Sequence, residues 1–148
     1  MELQRILLAT DFSEPSQAAL QLATALARDS SATLLICHVT PPEFVYGADE
    51  MDAVAIPFEN PGVRQRLVET QPNDPQVPCE HHLLVGNPAD EIVRLGEEQN
   101  VDLIVLGSHG RTGAVRLLMG SIAEAVVRQA ACPVLTIKHQ DSSHAPPT

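Results

Sequence analysis

The sequence lacks several features that would assign it to other classes of protein. It has no tryptophan, and aromatic residues make up only 3% of its 148 residues, so its apolar 44% consists mainly of Ala, Val, Leu and Ile. Such residues are typical of strands that are buried on both faces of a parallel α/β sheet. No apolar run approaches the ~20 residues of a membrane-spanning helix. The N-terminus also lacks the basic region and apolar core of a signal peptide, so we expect a soluble, cytoplasmic protein.

Positive charge is scarce as well. Nine Arg and Lys stand against 19 Asp and Glu, which gives a formal charge of −10, and Lys138 is the sole lysine. This balance disfavours nucleic acid and anionic membranes as partners. Since no lysine accompanies a glycine-rich loop, a Walker-type P-loop is excluded. A bound anion would need backbone N–H groups, a local arginine or a divalent cation.

The three cysteines predict neither a disulfide framework nor a redox motif. Cys37, Cys79 and Cys132 are far apart, lie in apolar segments and form no Cys-x-x-Cys pair. We interpret them as small buried apolar residues in a reducing cytosol.

The most informative segment is residues 102–124. Residues 103–106 form an unbroken apolar run that predicts a strand buried on both faces. Three glycines follow within seven positions: Gly107, Gly110 and Gly113. Ser121 and Glu124 then stand at capping-box spacing, so we expect a helix that starts at Ser121 and is capped by these two side chains. A glycine-rich loop beside a helix N-terminus is typical of a phosphate site built from backbone groups.

Similar patterns predict the rest of the regular structure. The strands are expected at 6–9, 32–39, 77–85, 103–106 and 134–138, the third of them at a sheet edge because its pattern is mixed and Pro78 lies near its start. Helices are expected after Ser13, at 63–69, after Asn87 with Pro88 at the first position, and from Ser121. The last helix is expected to present five apolar residues to the core: Ile122, Ala123, Val126, Val127 and Ala130. Strands alternating with helices predict a doubly wound, open parallel five-stranded sheet with helices on both faces.

Two segments fall outside this pattern. The prolines and acidic residues of 41–61 are expected to break any regular element, which leaves a lid over a pocket or, as we favour, a mobile surface loop. Residues 139–148 are polar and rich in proline, so a disordered tail after a single domain at 1–138 is predicted.

The glycine spacing resembles a known family signature. Gly107-x2-Gly110-x9-Gly120-Ser121 is similar to the nucleotide-binding motif of the ATP-binding universal stress proteins. Segments 9–11 (Ala-Thr-Asp), 87–89 (Asn-Pro-Ala) and 132–135 (Cys-Pro-Val-Leu) also resemble that family, so the resemblance covers about residues 3–138. It implies an adenine nucleotide alpha hydrolase-like fold with strand order 3-2-1-4-5, in which ligands bind where the order reverses, between strands 1 and 4.

The resemblance also implies roles for residues on the first two strands. Thr10 and Asp11 would contact the nucleotide, with Asp11 on the ribose hydroxyls, although an Asp after a strand is also a common capping residue. Val39 would bind adenine through its backbone, the alternative being core packing. His38 is interpreted as a hydrogen-bonded histidine of the core or sheet end. His81 and His82 point to opposite faces of a strand, which argues against a shared metal.

Other roles fall on the glycine loop. The resemblance implies that Gly107, Gly110, Gly120 and Ser121 contact phosphates or ribose and that Ile122 adds a backbone N–H. The alternative is that the glycines only turn the chain. His109 and Arg111 lie where side chains could meet phosphates, yet both also suit an exposed loop.

The expected function is therefore binding and not catalysis, because no nucleophile–base pair is evident. We expect a stress-response regulator that binds ATP or AMP, with or without Mg²⁺, and acts as a nucleotide-dependent switch or chaperone-like partner. The alternatives are a slow ATPase or nucleotidyl-transfer enzyme using the same pocket, and a dimeric scaffold that binds no nucleotide. The final strand, 134–138, is an apolar sheet edge, and family members commonly dimerise there, so a homodimer is expected.

Overall fold

The computed structural model describes residues 2–46, 53–56, 60–108 and 120–138. In chain order, the elements of these residues are β1 (Arg5–Ala9), α1 (Glu14–Ser30), β2 (Thr33–Thr40), β3 (Glu43–Tyr46), β4 (Ala53–Ile56), α2 (Pro61–Glu69), β5 (Cys79–Val85), α3 (Pro88–Glu98), β6 (Leu103–Ser108), α4 (Ser121–Gln129) and β7 (Val134–Lys138). None of the described helices is both long and apolar enough to cross a membrane.

The main sheet has the predicted topology. Its five strands lie in the order β5-β2-β1-β6-β7, and every neighbouring pair is parallel. This is the predicted order 3-2-1-4-5 for the five predicted strands, and β5 lies at an edge as expected. The order reverses between β1 and β6, where the register pairs Ala9 with Leu106. The strand ends that carry Asp11 and Gly107 are therefore neighbours.

The three inner strands of the main sheet, β1, β2 and β6, are buried on both faces, as their apolar runs predict. On one face Ile6 and Leu8 pack against α1 and against Leu67 of α2. On the other face Leu7 packs among residues of α3 and α4, including Ile92 and Val126. This division follows from the period of two in a strand, which sends alternate side chains to opposite faces.

Local capping chemistry sets the start of three helices. Ser13 caps α1, Asn60 caps α2, and Asn87 caps α3 by accepting a hydrogen bond from the N–H of Asp90 at 3.1 Å. The caps at Ser13 and Asn87 are those that the sequence predicts. Helix α2 begins at Pro61, two residues before the predicted start, because Pro is favoured in the first turn of a helix.

The prediction of a loop without regular structure at 41–61 was wrong. Strands β3 and β4 pair there as a two-stranded antiparallel sheet, in which Glu43 lies opposite Ile56 and Tyr46 opposite Ala53. The prolines at 41, 42 and 57 flank these strands and do not interrupt them, and a proline next to a strand removes no hydrogen bond within it.

The predicted capping box of α4 was also wrong. The helix begins at Ser121 as expected, but the N-cap is Gly120, whose carbonyl accepts from the N–H of Glu124 at 2.9 Å. The Glu124 carboxylate instead accepts from Arg128 at 2.8 Å, one turn further along α4. An ion pair at this i,i+4 spacing competes with the capping geometry for the same side chain.

Two of the five apolar residues assigned to the inner face of α4 point outward. Ile122 is 46% exposed and Val127 is 43% exposed, whereas Ala123 and Val126 are buried. A helix of nine residues that contacts the sheet along one narrow stripe buries only the positions three apart on that stripe.

Candidate functional site

A pocket of about 230 Å³ lies at the point where the strand order reverses. Seven of the predicted site residues line it: Thr10, Asp11, Val39, Gly107, Gly120, Ser121 and Ile122. The predicted residues His109, Gly110 and Arg111 lie outside the described residues. The tertiary structure thus brings together residues from β1, β2, β6 and α4 that are up to 114 positions apart, as between Ala9 and Ala123.

Asp11 lies just beyond β1 and is held by the start of α1. Its Oδ1 accepts hydrogen bonds from the N–H of Ser13 at 3.0 Å and from the hydroxyl of Ser16 at 2.6 Å. Partial burial by itself raises the pKa of Asp11, but the hydrogen bonds from Ser13 and Ser16 outweigh it, so the pKa lies below its usual value. The pocket therefore contains an ionised carboxylate. The N-cap of α1 is Ser13, so Asp11 does not cap the helix itself but binds the N–H of the cap residue.

Thr10 and His38 join the ends of the two central strands. His38 Nδ1 lies 2.7 Å from the carbonyl oxygen of Thr10, and since a carbonyl can only accept, this nitrogen is the donor. The His38 ring lies 4.5 Å from the ring of Phe12, and the Arg66 guanidinium carbon is 4.4 Å from the same phenyl ring. His38 is thus a hydrogen-bonded histidine at the end of the sheet, as predicted.

Val39 extends past the last paired residue of β1. Thr33 donates to Gln4 O and Cys37 O accepts from Thr10, so the odd-numbered residues of β2 direct their backbone groups toward β1. Val39 is the next odd residue, and the β1–β2 register ends at Ala9 opposite Cys37. Its side chain packs against the core, while its N–H and C=O face the pocket side. Core packing and a backbone contact are therefore compatible at Val39.

Gly107 allows β6 to approach the first turn of α1. A Cβ at this position would lie 2.6 Å from the carbonyl carbon of Pro15, 2.7 Å from its oxygen and 2.8 Å from the N of Ser16. All three are backbone atoms, which cannot move aside as a flexible side chain does. A close contact between strand and helix is thus one reason for the glycine.

The N-terminus of α4 forms the opposite wall of the pocket. Gly120, Ser121, Ile122 and Ala123 line the pocket, and no side chain caps this helix within the described part of the chain. The first bond within the helix comes from the N–H of Glu124, so the preceding N–H groups have no partner in the helix. Such N–H groups, together with the positive end of the helix dipole, favour an anion.

The described lining combines an apolar part with a single carboxylate and a buried thiol. Leu106, Ile92 and Ala123 give it an apolar part, and Asp11 is the only carboxylate among the described lining residues. Cys37 also lines it, but burial raises the pKa of this thiol to about 12, so it is not an activated nucleophile. Among the described residues, no three His, Cys, Asp or Glu side chains cluster as metal ligands.

Several lining residues were not predicted, and Ser16 is the most informative of them. It lies in the first turn of α1, is 5% exposed, and contacts both the backbone and the side chain of Asp11. Ser16 follows Asp11 by five residues and lies just past the predicted cap at Ser13. This spacing was the signal in the sequence that could have indicated a contact between Ser16 and Asp11. Pro88 also lines the pocket, at the start of α3.

An open parallel sheet with a pocket at its switch point, walled by helix N-termini, defines the class of doubly wound α/β ligand-binding proteins. Within that class, the family model for the universal stress protein family matches residues 2–138, and the chain belongs to this family.

Individual relatives agree with this assignment over nearly their whole length. Universal stress protein MJ0577 of Methanocaldococcus jannaschii is 28% identical over 94% of this chain and 97% of its own. Universal stress protein A homolog 1 of Coxiella burnetii is 34% identical, covering 93% of this chain and 97% of its own.

Solved structures show the same fold. The MJ0577 structure superposes with a TM-score of 0.70 at 26% identity, covering 96% of this chain and 100% of that one. A universal stress protein in complex with cAMP gives a TM-score of 0.67 at 28% identity, covering 93% of this chain and 98% of that one. A nucleotide-bound structure therefore exists among the relatives.

Proposed function

We propose that this protein is a cytoplasmic stress-response regulator that binds ATP or AMP in the pocket between β1 and β6. The observation that carries the proposal is the convergence of three features on that pocket: the Asp11 carboxylate, the outward backbone of Val39 and the uncapped start of α4. The universal stress protein solved with cAMP supports an adenine nucleotide as the ligand. Three free cysteines, Cys37, Cys79 and Cys132, suit a reducing compartment.

Each part of a nucleotide has a matching surface. Adenine has a donor and acceptors at its edge, which suit the N–H and C=O of Val39, and an apolar face, which suits Leu106 and Ile92. The ribose hydroxyls are donors, and the ionised Asp11 is a strong acceptor for them. Phosphate oxygens suit the N–H groups from Ser121 to Ala123, which have no partner within the helix, and the predicted contacts at Gly110, His109 and Arg111 would add to these.

Magnesium would enter together with the nucleotide. The described lining offers a single carboxylate as a ligand for a cation, and neither a lysine nor an arginine to offset phosphate charge. Mg²⁺ commonly binds through phosphate oxygens, water and few protein ligands. We therefore expect Mg²⁺ to strengthen ATP binding by offsetting phosphate charge in a chain of net charge −10.

The test is isothermal titration of the purified protein with ATP and AMP, with and without Mg²⁺, after checking that no nucleotide co-purifies. We expect micromolar binding that is abolished by Gly120→Val, which fills the pocket, and weakened at least tenfold by Asp11→Ala. The matched control is Asp29→Ala, which also removes a carboxylate near α1 but at its far end. Failure of the empty, folded protein to bind either nucleotide would contradict the proposal.

Measuring ATP turnover tests the alternative that the pocket belongs to a slow ATPase. Among the described lining residues Asp11 is the only carboxylate, and we assign it to the ribose, so we expect phosphate release from Mg·ATP to stay at the rate without protein. A rate that rises with protein concentration and disappears in Gly120→Val would instead assign the pocket to a slow ATPase.

We also propose that the protein forms a homodimer through β7. This strand is an edge of the sheet, with β6 as its neighbour. Because Pro133 O accepts from the N–H of Ile104 in β6, the backbone groups of the odd-numbered residues of β7 point toward β6. The N–H of Thr136 therefore points away from the sheet. Thr136→Pro removes that outward donor without removing a donor to β6. Light scattering at micromolar concentration is expected to give a dimer mass for the wild type and a monomer mass for this variant. A monomeric wild type would contradict the proposal.

A further inference from the structure

We infer that Ser16 is a positioning residue that fixes the Asp11 carboxylate and makes the pocket selective for nucleotides whose ribose carries free hydroxyls. This inference rests on the proposed function, because it concerns the ribose subsite of the same pocket.

A single buried hydroxyl holds Asp11 at two points. The Ser16 hydroxyl donates to Asp11 Oδ1 at 2.6 Å and accepts from the backbone N–H of Asp11 at 3.1 Å. Ser16 is 5% exposed, so water does not compete freely for these bonds. The two bonds restrain both the backbone and the side chain of Asp11.

Counting the hydrogen bonds shows which oxygen is left for a ligand. Oδ1 accepts from the Ser13 N–H and from the Ser16 hydroxyl, which fills the two acceptor positions of that oxygen. Oδ2 accepts no hydrogen bond from the described residues and belongs to a residue that lines the pocket, so it is the oxygen that we assign to the ribose. An ionised oxygen accepts a hydroxyl hydrogen strongly and gains nothing from a C–H group in the same place, so a deoxy sugar would lose this contact.

The position of Ser16 is itself fixed by packing. The close approach at Gly107 brings β6 against the backbone at Pro15 and Ser16. The helix does not need the Ser16 hydroxyl as its cap, because Ser13 accepts from the N–H of Ser16 and fills that role. The Ser16 hydroxyl is therefore available to bind Asp11. Because the Ser16 backbone lies against Gly107, Ser16 connects the ribose subsite with β6.

A purely structural role for Ser16 makes a different prediction. If the hydroxyl only stabilised the start of α1, its loss would weaken binding of all nucleotides by the same factor. If it positions Asp11, its loss would affect only ligands that use the ribose contact. The experiment therefore compares AMP with 2′,3′-dideoxy-AMP, which differ only in the ribose hydroxyls.

The variants are Ser16→Ala, Asp11→Ala and the double variant, each titrated with both ligands. The matched control is Thr24→Ala in the same helix. Thr24 is 1% exposed, and its hydroxyl donates to Leu20 O at 2.7 Å. This control also removes a buried, hydrogen-bonded hydroxyl from α1, but one that does not line the pocket.

We expect the wild type to prefer AMP at least tenfold, and Ser16→Ala to weaken AMP binding about tenfold while leaving 2′,3′-dideoxy-AMP unchanged. Asp11→Ala should remove the preference, and adding Ser16→Ala to it should cause no further loss. Thr24→Ala should keep the wild-type preference. Equal losses for both ligands in Ser16→Ala, or an unchanged preference in that variant, would overturn the inference.

A measurement without ligand separates this inference from the proposed function. Carboxyl ¹³C NMR titration of the ligand-free protein should show that Ser16→Ala raises the pKa of Asp11, whereas Thr24→Ala leaves it unchanged. An unmoved Asp11 titration would overturn the positioning role even if nucleotides bind. A wild type that binds neither ligand would overturn the proposed function, and the ribose selectivity with it, whatever the titration shows. A wild type that binds both ligands equally would overturn only the selectivity.

Discussion

Helices α1 and α4 both begin at the pocket, but their N-termini are used differently. Ser13 caps α1, and the Asp11 carboxylate accepts from the Ser13 N–H and the Ser16 hydroxyl. No described side chain caps α4, and its first N–H groups lie at the pocket wall without a partner in the helix. Hydrogen bonds at the start of α1 thus hold a side chain in place, whereas the first N–H groups of α4 have no partner within the helix.

This difference separates two tasks within one pocket. A rigid acceptor for hydroxyl groups requires that the donors around Asp11 be satisfied internally. An anion site requires the opposite, since a side-chain cap at Gly120 would occupy the N–H groups that a phosphate needs. Gly120 at the start of α4 is suited to an anion site, and Ser13 at the start of α1 is suited to holding Asp11 in place.

The largest expected effect comes from breaking the contact between β6 and α1. Gly107→Ala would place a Cβ within 2.8 Å of three backbone atoms of Pro15 and Ser16, so α1 must move away from the sheet. We expect a loss of about 3 kcal/mol in the free energy of unfolding, measured by urea denaturation, together with a loss of nucleotide affinity.

Gly96→Ala is the matched control for that variant. Its Cβ would lie 3.3 Å from Val101 Cγ2 and 3.4 Å from Ile104 Cδ1, which are ends of side chains within the opposite core. Alanine also gains up to about 1 kcal/mol of helix propensity over glycine, so we expect a small net change in stability. Equal losses in both variants would show that the backbone contact at Gly107 is not special.

The second prediction makes α4 resemble α1. Gly120→Asp supplies a side-chain cap that can accept from the first N–H groups of α4 and adds negative charge beside the phosphate position. We expect nucleotide affinity to fall at least tenfold, by titration calorimetry, while the free energy of unfolding rises by a few tenths of a kcal/mol. Asn60→Gly, which removes the cap of α2 away from the pocket, should leave affinity unchanged. Unaltered affinity in Gly120→Asp would show that the α4 end does not hold the anion.

The third prediction compares one serine at each helix. Ser13→Ala removes the cap of α1 and should lower the free energy of unfolding by about 1 kcal/mol. Ser121→Ala should change it by less than about 0.5 kcal/mol, because Ser121 is the first helical residue of α4 and not its cap. Urea denaturation of both variants measures the difference. A loss of about 1 kcal/mol in Ser121→Ala would support the capping box that the structure does not contain.

The smallest expected effect is a dependence of stability on pH. The pKa of Asp11 is lowered in the folded protein, so ionised Asp11 stabilises the fold at pH values above its usual pKa of 3.8. That contribution is lost as the pH falls below 3.8 through the lower, folded pKa. The stability difference between wild type and Asp11→Asn should therefore be larger at pH 6 than at pH 3 in urea denaturation. A difference that does not change with pH would contradict the internal hydrogen bonds of Asp11.

Features that depend on neighbouring residues in the chain could be predicted from the sequence. The apolar runs that became β1 and β6 predict strands buried on both faces, and Ser13 and Asn87 predict where α1 and α3 begin. Capping is a contact between residues two or three apart, so both partners can be read from a short stretch of the sequence. The order of the strands came from the family resemblance, because periodicity does not say which strands pair.

Features that depend on competition between possible partners, or on residues distant in the chain, could not be predicted from the sequence. Glu124 has two possible partners at short range, the cap of α4 and Arg128, and the folded structure selects Arg128. The exposure of Ile122 and Val127 depends on how a short helix is rotated against the sheet. The pairing of β3 with β4 depends on backbone hydrogen bonds between segments that the prolines only flank.

The amino-acid sequence by itself determined the five strands of the main sheet, the helices between them, and the starts of α1 and α3. Only the tertiary structure decided that Gly107 lies against the backbone of Ser16, and that the Ser16 hydroxyl and the Ser13 N–H leave Oδ2 as the accepting oxygen of Asp11. The physical reason is that such contacts depend on distances of a few tenths of an ångström between β6, β1 and α1. Those distances are set by the packing of the whole sheet and its helices, and no local pattern in the chain contains them.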